Sequence, residues 1–167
     1  MRRNRQKIKK ERIGALMLLT IVQTVEELTR TETIDHLATV TREWMLPYAD
    51  TVTDTRRGIL DALEGRPAPG GFVVTATEER QLAGILVMLR TGMTGYIPPN
   101  LLLFLAVAPS KRRSGIGTLL VQTALRNTTG PVKLHVEADN PAKTLYEKIG
   151  FSTSYLDMRY KGSEEVG

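Results

Sequence analysis

The sequence predicts a mixed α/β domain with a central sheet of about six strands and about four flanking helices. Three apolar, β-rich segments, at residues 72–77, 82–90 and 101–108, are separated by short connections. Strands joined in this way have to be antiparallel neighbours, because the chain has no room to cross over. A segment of helical periodicity at 115–126 then leads to another β-rich segment at 132–137. A connection of that length allows the last strand to lie parallel to the strand at 101–108, which makes the sheet mixed.

The N-terminal elements are predicted from hydrophobic periodicity. Residues 16–22 form an apolar run that predicts a buried first strand. Residues 25–45 carry apolar side chains at helical spacing, with a break near 31–33 and an end at Pro47.

Two more helices are predicted from their ends. Asp54 is predicted to be the N-cap of a helix that ends before Gly65. A last helix at 141–148 leads to the segment at 151–160.

Composition excludes several classes of site. The chain of 167 residues contains no cysteine and only two histidines, His36 and His135. Disulfides, thiolate zinc sites, cysteine nucleophiles and histidine-rich metal centres are therefore excluded, and no metal is expected. The length is that of one ordinary domain with a sizeable core.

The net charge of +5 is concentrated at the N-terminus. Residues 1–13 carry seven cationic side chains and one acidic side chain, so the rest of the chain is close to neutral. We predict that residues 1–13 form a solvated, disordered tail ahead of a domain at 14–162. The alternative is an arm that binds RNA phosphates, and any contact with nucleic acid is then confined to this tail. The tail holds no aromatic residue that could stack on bases.

The apolar run at residues 13–22 follows basic residues, as the core of a signal peptide does. It is short for a membrane span, and no small-x-small cleavage site follows it. A core strand is the better interpretation, so we expect a cytoplasmic protein with no membrane contact.

The most informative motif is the basic, glycine-spaced loop between the strand at 101–108 and the helix at 115–126. A helix N-terminus offers unpaired backbone N–H groups and the positive end of the helix dipole, which together bind phosphate. The glycines would let a pyrophosphate approach the backbone, and the cations beside them would bind it through charge-assisted hydrogen bonds. The predicted cradle consists of Arg112, Arg113, Ser114, Gly115, Ile116, Gly117 and Thr118, preceded by Lys111.

Two commoner glycine motifs do not fit this loop. A P-loop requires Gly-x-x-x-x-Gly-Lys-Ser/Thr, and no Lys-Ser or Lys-Thr stands at that spacing. A dinucleotide fingerprint requires a third glycine where this chain has Leu120. Taken alone, the loop is either a pyrophosphate cradle of another kind or a tight connection between strand and helix.

Two motifs together resemble the GNAT superfamily of acetyltransferases. The first is the R-x-x-G-x-G pattern at residues 112–117, after an apolar strand. The second is the strand, Asn, short helix and closing Gly-Phe of residues 132–151. The resemblance implies the GNAT fold, with a splayed parallel strand pair at the coenzyme A site, and acetyl-CoA as the cosubstrate.

The resemblance also implies roles for individual residues. The pantetheine arm would pair with the strand at 101–108, where Val107 would supply backbone contacts near the thioester. Tyr146 would give a proton to the departing thiolate. Asn140 would bind the cofactor, but its spacing to Tyr146 is shorter than is common in relatives, which leaves Asp139 as the alternative.

The general base is left open between His135 and Glu137. Strand alternation places both on one side of the chain and their apolar neighbours on the other. The resemblance implies a glutamate at the position of His135 in protein N-terminal acetyltransferases. It also implies a catalytic glutamate on the strand at 101–108 in some relatives, and this chain has no carboxylate there. Histidine titrates near neutral pH and is the first candidate, Glu137 or a bound water is the next, and a strand histidine without a role is the alternative.

The expected activity is transfer of an acetyl group from acetyl-CoA to a primary amine by direct attack in a ternary complex. A small-molecule amine is the expected acceptor, and protein N-termini, aminoacyl-tRNA or a CoA-binding module without turnover are the alternatives. The acceptor side would be lined by Trp44, Tyr48, Asp50 and Asp54. Because residues 151–160 are too short for a long hairpin, this side is expected to be open or completed by a second subunit in a homodimer.

Overall fold

The strands lie in the sheet in the order in which they occur in the chain. A computed structural model describes residues 9–13, 17–65, 70–160 and 162, and within them one six-stranded sheet. Its strands are β1 (Lys9–Ile13), β2 (Met17–Val22), β3 (Gly71–Glu78), β4 (Gln81–Arg90), β5 (Asn100–Val107) and β6 (Val132–Leu134). All neighbours are antiparallel except β5 and β6, which are parallel. The predicted mixed sheet is confirmed.

Helices cover both faces of this sheet. They are α1 (Val25–Leu28), α2 (Ile34–Met45), α3 (Val52–Glu64), α4 (Ile116–Arg126) and α5 (Ala142–Ile149). The first three pack on one face, against alternate residues of the central strands such as Val73 and Val87. The last two cover the other face, where Val74 and Met88 are buried. Alternate residues of β3 and β4 therefore pack into two different cores, one on each face of the sheet. This is why both strands are apolar on both sides.

Threonine side chains begin the helices of the N-terminal half. Thr33 Oγ1 accepts a hydrogen bond from His36 N–H and so separates α2 from α1 at the predicted break. The prediction of Asp54 as an N-cap is wrong, because Thr51 caps α3 and accepts from Asp54 N–H at 3.1 Å. Asp54 is the third residue of the helix, and its carboxylate accepts from the Thr51 hydroxyl at 2.7 Å. The Thr51 side chain thus both caps α3 and holds the Asp54 carboxylate at the start of the helix.

Part of the predicted tail belongs to the sheet. β1 lies antiparallel to β2 over five residue pairs, from Lys9–Ile21 to Ile13–Met17. Glu11 also forms an ion pair with Arg126 of α4, at 3.0 Å. Disorder throughout residues 1–13 is therefore wrong for Lys9–Ile13, because backbone pairing outweighs their charge. Residues 1–8 lie outside the described residues.

None of the helices in the described ranges is both long and apolar enough to cross a membrane.

Candidate active site

The parallel strands β5 and β6 separate after only three residue pairs. Asn100, Leu101 and Leu102 pair with Val132, Lys133 and Leu134, and there β6 ends. The prediction of a strand to residue 137 is therefore wrong. β5 continues to Val107 and pairs with β4 along its other edge. From residue 103 to 107 one edge of β5 is thus open.

A β-bulge accounts for this separation. Val87 of β4 pairs with Phe104 and Met88 pairs with Leu102, so Leu103 is an extra residue on β5. Both Leu103 and Phe104 then pack on the face of α2 and α3. A bulge bends its strand, and this one lies where the pairing with β6 stops. The apolar run at 101–108 gave no sign of the bulge, because a sequence that is apolar at every position has no polar alternation that an extra residue could shift.

The glycine loop presents a row of free backbone N–H groups. After a 3-10 turn at Pro109–Lys111, the chain turns at Arg113 and Gly115, whose φ angles are +63° and +88°, and α4 begins at Ile116. Within the described residues, no backbone N–H from 113 to 118 donates a hydrogen bond, and Leu119 N–H is the first to do so, to Gly115 C=O at 3.0 Å. Residues 113–115 are exposed.

The three cations of the loop differ in their partners. The Lys111 ammonium pairs with the Glu78 carboxylate, which raises the pKa of Lys111. The Arg112 guanidinium donates to Trp44 C=O at 2.6 Å, which ties the loop to the end of α2. Arg113 is exposed and makes no hydrogen bond or ion pair within the part of the chain that the structure describes. Of the three, Arg113 is the cation without a partner.

The two loop glycines serve different purposes. A Cβ on Gly115 would meet nothing within 4 Å, so space does not require a glycine at this position. The positive φ angle does, because glycine adopts it without strain. Gly117 is buried, and a Cβ there would lie 2.9 Å from Leu145 Cδ1 and 3.7 Å from Val107 Cγ2. The close approach that Gly117 permits is therefore of α4 to α5 and β5, rather than of a ligand to the backbone as the sequence suggested.

Tyr146 lies on α5 and is buried in the core that α4 and α5 cover. Its side chain is 7% exposed, and its ring meets Phe151 edge to face with centroids 5.8 Å apart. Burial raises the pKa of Tyr146 well above its ordinary value, and the negative charge of Glu137 raises it further.

Asn140 and Glu137 hold the start of α5. The Asn140 side chain accepts from Ala142 N–H at 3.0 Å and donates to a Glu137 carboxylate oxygen at 3.0 Å. Asn140 N–H also donates to Glu137 C=O at 3.1 Å. In this structure Asn140 is thus a turn and helix-start residue, and its amide is engaged with the chain itself.

His135 and Glu137 are both exposed, whereas Leu134 and Val136 pack against the core. The predicted alternation is therefore present, although the segment is no longer paired. Glu137 faces Asn140 and influences Tyr146, whereas His135 makes no hydrogen bond within the described residues.

The connection between α2 and α3 crosses the cleft. At one end Trp44 C=O accepts from Arg112, which follows β5. Further along, the Tyr48 hydroxyl donates to Asp139 C=O, in the loop after β6, at 3.2 Å. Burial and the nearby carboxylates of Asp139 and Glu137 raise the pKa of Tyr48. Both acceptors are main-chain carbonyls, which no sequence motif could have identified.

The proposed acceptor residues are not all brought together. Trp44 packs partly against the core under α2 and α3, and Asp54 is engaged in the cap of α3. Tyr48 is the candidate that bridges to the cleft, and Asp50 is exposed beside it in the chain. Among the described residues, no group of three or more His, Asp or Glu side chains is placed to hold a metal ion.

Solved structures of low sequence identity share this fold. An aminoglycoside N-acetyltransferase, AAC(6')-Iy in complex with CoA, aligns with a TM-score of 0.61 and 15% identity over 90% of this chain and 98% of its own. An aminoglycoside acetyltransferase from an uncultured soil metagenomic sample aligns with a TM-score of 0.58 and 19% identity, over 88% of this chain and 99% of its own.

Two sequence comparisons place the similarity in the C-terminal part of the domain or in a short segment. A cysteine-rich protein 2-binding protein of Mus musculus is 47% identical over 51 residues, which are 30% of this chain and 6% of that protein. The chain therefore matches only a small part of that curated relative. A model of the acetyltransferase (GNAT) domain matches residues 69–153, just over half of the chain. The chain therefore belongs to the GNAT family of acetyltransferases.

Proposed function

We propose that this protein is an acetyl-CoA-dependent N-acetyltransferase that acetylates the primary amine of a small molecule. The observation that carries the proposal is the row of free N–H groups at residues 113–118, placed at the end of a strand whose edge is open from 103 to 107. An anion and an extended chain with amide groups would satisfy these two sets of unpaired donors and acceptors. The pyrophosphate and the pantetheine arm of a CoA thioester have this chemistry.

The residues present fit such a ligand. The backbone N–H groups of Arg113, Ser114, Gly115, Ile116, Gly117 and Thr118 would hold the pyrophosphate at the positive end of α4. Arg113, which has no partner in the chain, would add a charge-assisted contact, whereas Arg112 would exchange its bond to Trp44 C=O for one to phosphate. The bound thioester supplies an activated acetyl group, and Val107 at the end of β5 would pair with the pantetheine arm.

Two side chains of the chain would handle protons. Tyr146 is protonated at neutral pH, as tyrosines ordinarily are, and it would donate that proton to the sulfur of the leaving thiolate. We assign the base to Glu137, directly or through a water, because its carboxylate lies within electrostatic range of Tyr146 and Tyr48. His135, exposed on the same side, is the second candidate.

The cleft favours a cationic acceptor. Glu137 and Asp139 follow β6, Asp50 follows Tyr48, and all three are exposed without an ion pair in the described part of the chain. These three carboxylates would attract the ammonium form of an acceptor, which would then lose its proton to the base. The aminoglycoside acetyltransferase of the same fold supports a small-molecule amine as acceptor. We place the reaction in the cytoplasm, where a chain without cysteine suits a reducing compartment.

Calorimetric titration and thermal shift with acetyl-CoA, desulfo-CoA and ATP test the proposal. We expect both CoA species to bind and to stabilise the protein, and ATP, which lacks the pantetheine arm, to bind much more weakly. The variant Arg113→Glu should weaken acetyl-CoA binding by about tenfold or more, because it reverses the partnerless cation of the cradle.

The matched control is Arg90→Glu. Arg90 is also an exposed arginine, but it is the last residue of β4 and lies opposite Asn100, the first residue of β5. This is the end of β5 that is far from the glycine loop. Its replacement should leave CoA affinity unchanged. If neither CoA species binds, or if both variants weaken binding equally, the assignment of the cradle is wrong.

A further inference from the structure

Two long-range hydrogen bonds hold the end of α2 and the connection from α2 to α3, which consists of residues 46–51. The Arg112 guanidinium donates to Trp44 C=O at 2.6 Å, and the Tyr48 hydroxyl donates to Asp139 C=O at 3.2 Å. Among the described residues, every other hydrogen bond of this connection is local. Arg112 therefore supplies its one hydrogen bond to the chain that follows β5.

Arg112 also stabilises the end of α2. The carbonyl groups of the last helical turn have no partner within the helix, and they lie at the negative end of the helix dipole. A cationic side chain that donates to one of them is therefore favourable. Trp44 belongs to the last turn of α2, and its C=O receives this bond from a residue 68 positions away in the chain.

The same guanidinium lies beside the proposed cradle. Arg112 is exposed and directly precedes residues 113–118, whose backbone N–H groups donate no hydrogen bond in the described part of the chain. A phosphate oxygen carries negative charge, so it is a stronger acceptor for a guanidinium than a neutral main-chain carbonyl is. With a pyrophosphate on the cradle, Arg112 would turn to it, and Trp44 C=O would lose its partner.

We propose that Arg112 couples the cofactor site to the acceptor side, because its move from Trp44 C=O to the cofactor pyrophosphate releases residues 46–51. This inference rests on the proposed function, since it requires a CoA species on the cradle. Tyr48 and Asp50, which are expected on the acceptor side, belong to the released connection. The acceptor side can then adjust to an amine once the cofactor is in place. Such coupling is reciprocal, so an amine that needs the released connection also tightens cofactor binding.

Amide hydrogen exchange of the full chain, with and without saturating desulfo-CoA, tests the proposal. The N–H groups of Leu46 and Tyr48 donate to Glu43 C=O and Met45 C=O, and so report on the end of α2. With the bond to Trp44 C=O lost, both should exchange about three- to tenfold faster in the complex. The sign is diagnostic, because a ligand that only adds contacts slows exchange or leaves it unchanged. Fluorescence of Trp44, the single tryptophan, should also change on binding.

Arg112→Ala and Arg113→Ala are matched variants. Both arginines are exposed and adjacent, but only Arg112 bonds to Trp44 C=O. Arg112→Ala without ligand should already show the fast exchange of the wild-type complex, and desulfo-CoA should not accelerate it further. Arg113→Ala should bind desulfo-CoA more weakly, yet at saturation it should show the same acceleration as the wild type.

Calorimetry on the same samples separates this proposal from the proposed function. If desulfo-CoA binds while Leu46 and Tyr48 exchange no faster, Arg112 keeps its bond to Trp44 C=O through another of its N–H groups, and the coupling is overturned although the cradle stands. Wild-type exchange rates in ligand-free Arg112→Ala also overturn it, because the bond then does not hold the connection. If no desulfo-CoA binds, the proposed function fails, and this inference fails with it.

Discussion

Tyr146 has a structural role in the core and the chemical role that we propose for it in acetyl transfer. Its ring packs against Phe151 in the core of the α4–α5 face, and burial together with the negative charge of Glu137 raises the pKa of its hydroxyl above the ordinary tyrosine value. A donor that stays protonated across the neutral range would serve a leaving thiolate at any physiological pH.

Tyr146→Phe should therefore lower kcat for acetyl transfer by about a hundredfold or more, with little change in the KM for acetyl-CoA. The phenylalanine ring keeps the contact with Phe151, so a loss of folding should not accompany the loss of rate. Steady-state kinetics across the neutral pH range provide the measurement. An unchanged kcat at every pH would remove Tyr146 from the mechanism.

The same residue predicts a pH dependence of stability. A tyrosine whose folded pKa is raised above its unfolded value of about 10 contributes fully below that value, and the contribution is lost as the pH rises through the folded pKa. Above about pH 10 the wild type should lose roughly 1.4 kcal/mol of unfolding free energy per pH unit through this group. Urea unfolding at about pH 9 and about pH 11 should show a steeper loss for the wild type than for Tyr146→Phe. If both proteins lost the same stability between these pH values, the pKa of Tyr146 would be the same in the folded and the unfolded protein.

At the scale of elements, close contacts at glycine decide how the helices lie on the sheet. Gly58 is buried in α3, and a Cβ there would lie 2.5 Å from Leu103 Cδ2 and 2.7 Å from Phe104 Cε2. Those two side chains face α3 together because of the bulge in β5. The bulge that opens the cleft therefore also requires the glycine that lets α3 approach.

Gly58→Ala tests this link, because two effects of opposite sign compete. Helix propensity alone would stabilise the alanine variant by about 1 kcal/mol. The clash with Leu103 and Phe104 should instead lower the free energy of unfolding by about 1–3 kcal/mol. Urea denaturation gives the sign, and Arg57→Ala, exposed on the same helix, should stay within about 0.5 kcal/mol of the wild type. If Gly58→Ala were more stable than the wild type, Leu103 and Phe104 would have moved away from the new Cβ without a loss of stability.

At the scale of the whole molecule, two cores share one sheet. Leu37 of α2 and Leu120 of α4 are both completely buried, on opposite faces. The strands between them contribute alternate residues to each core, so neither face can lose its packing without disturbing the residues of the other.

Unfolding should therefore be cooperative across the sheet. Leu120→Ala should lower stability by about 2–5 kcal/mol and should shift the midpoint seen by Trp44 fluorescence as much as the midpoint seen by far-UV circular dichroism. Trp44, the single tryptophan, packs on the opposite face from Leu120 and so reports on the other core. Leu37→Ala, on the face of Trp44, is the matched variant. If the midpoint seen by Trp44 fluorescence did not shift in Leu120→Ala, the two faces of the sheet would unfold as separate units.

Features that depend on local chemistry could be predicted from the residue types alone. Apolar runs with short connections specify the antiparallel strands β3 to β5, and the glycine loop specifies where α4 begins, because each signal lies within a few neighbouring residues. The same local reasoning placed Leu134 and Val136 on one side and His135 and Glu137 on the other. It failed at Asp54, since Thr51 and Asp54 both accept at a helix start and spacing does not rank them.

Features that depend on contacts between distant parts of the chain became visible only in the folded molecule. Pairing with β2 places Lys9–Ile13 in the sheet, although their charge predicts a tail. The extra residue at Leu103 ends the pairing of β5 with β6, and main-chain carbonyls at Trp44 and Asp139 receive the bonds that cross the cleft. The register of strands, the position of a bulge and the direction of a carbonyl group cannot be predicted from residue types, because they depend on backbone groups that every residue shares. The position of the glycine loop could therefore be predicted from the sequence, whereas the separation of β5 from β6 was set by the fold.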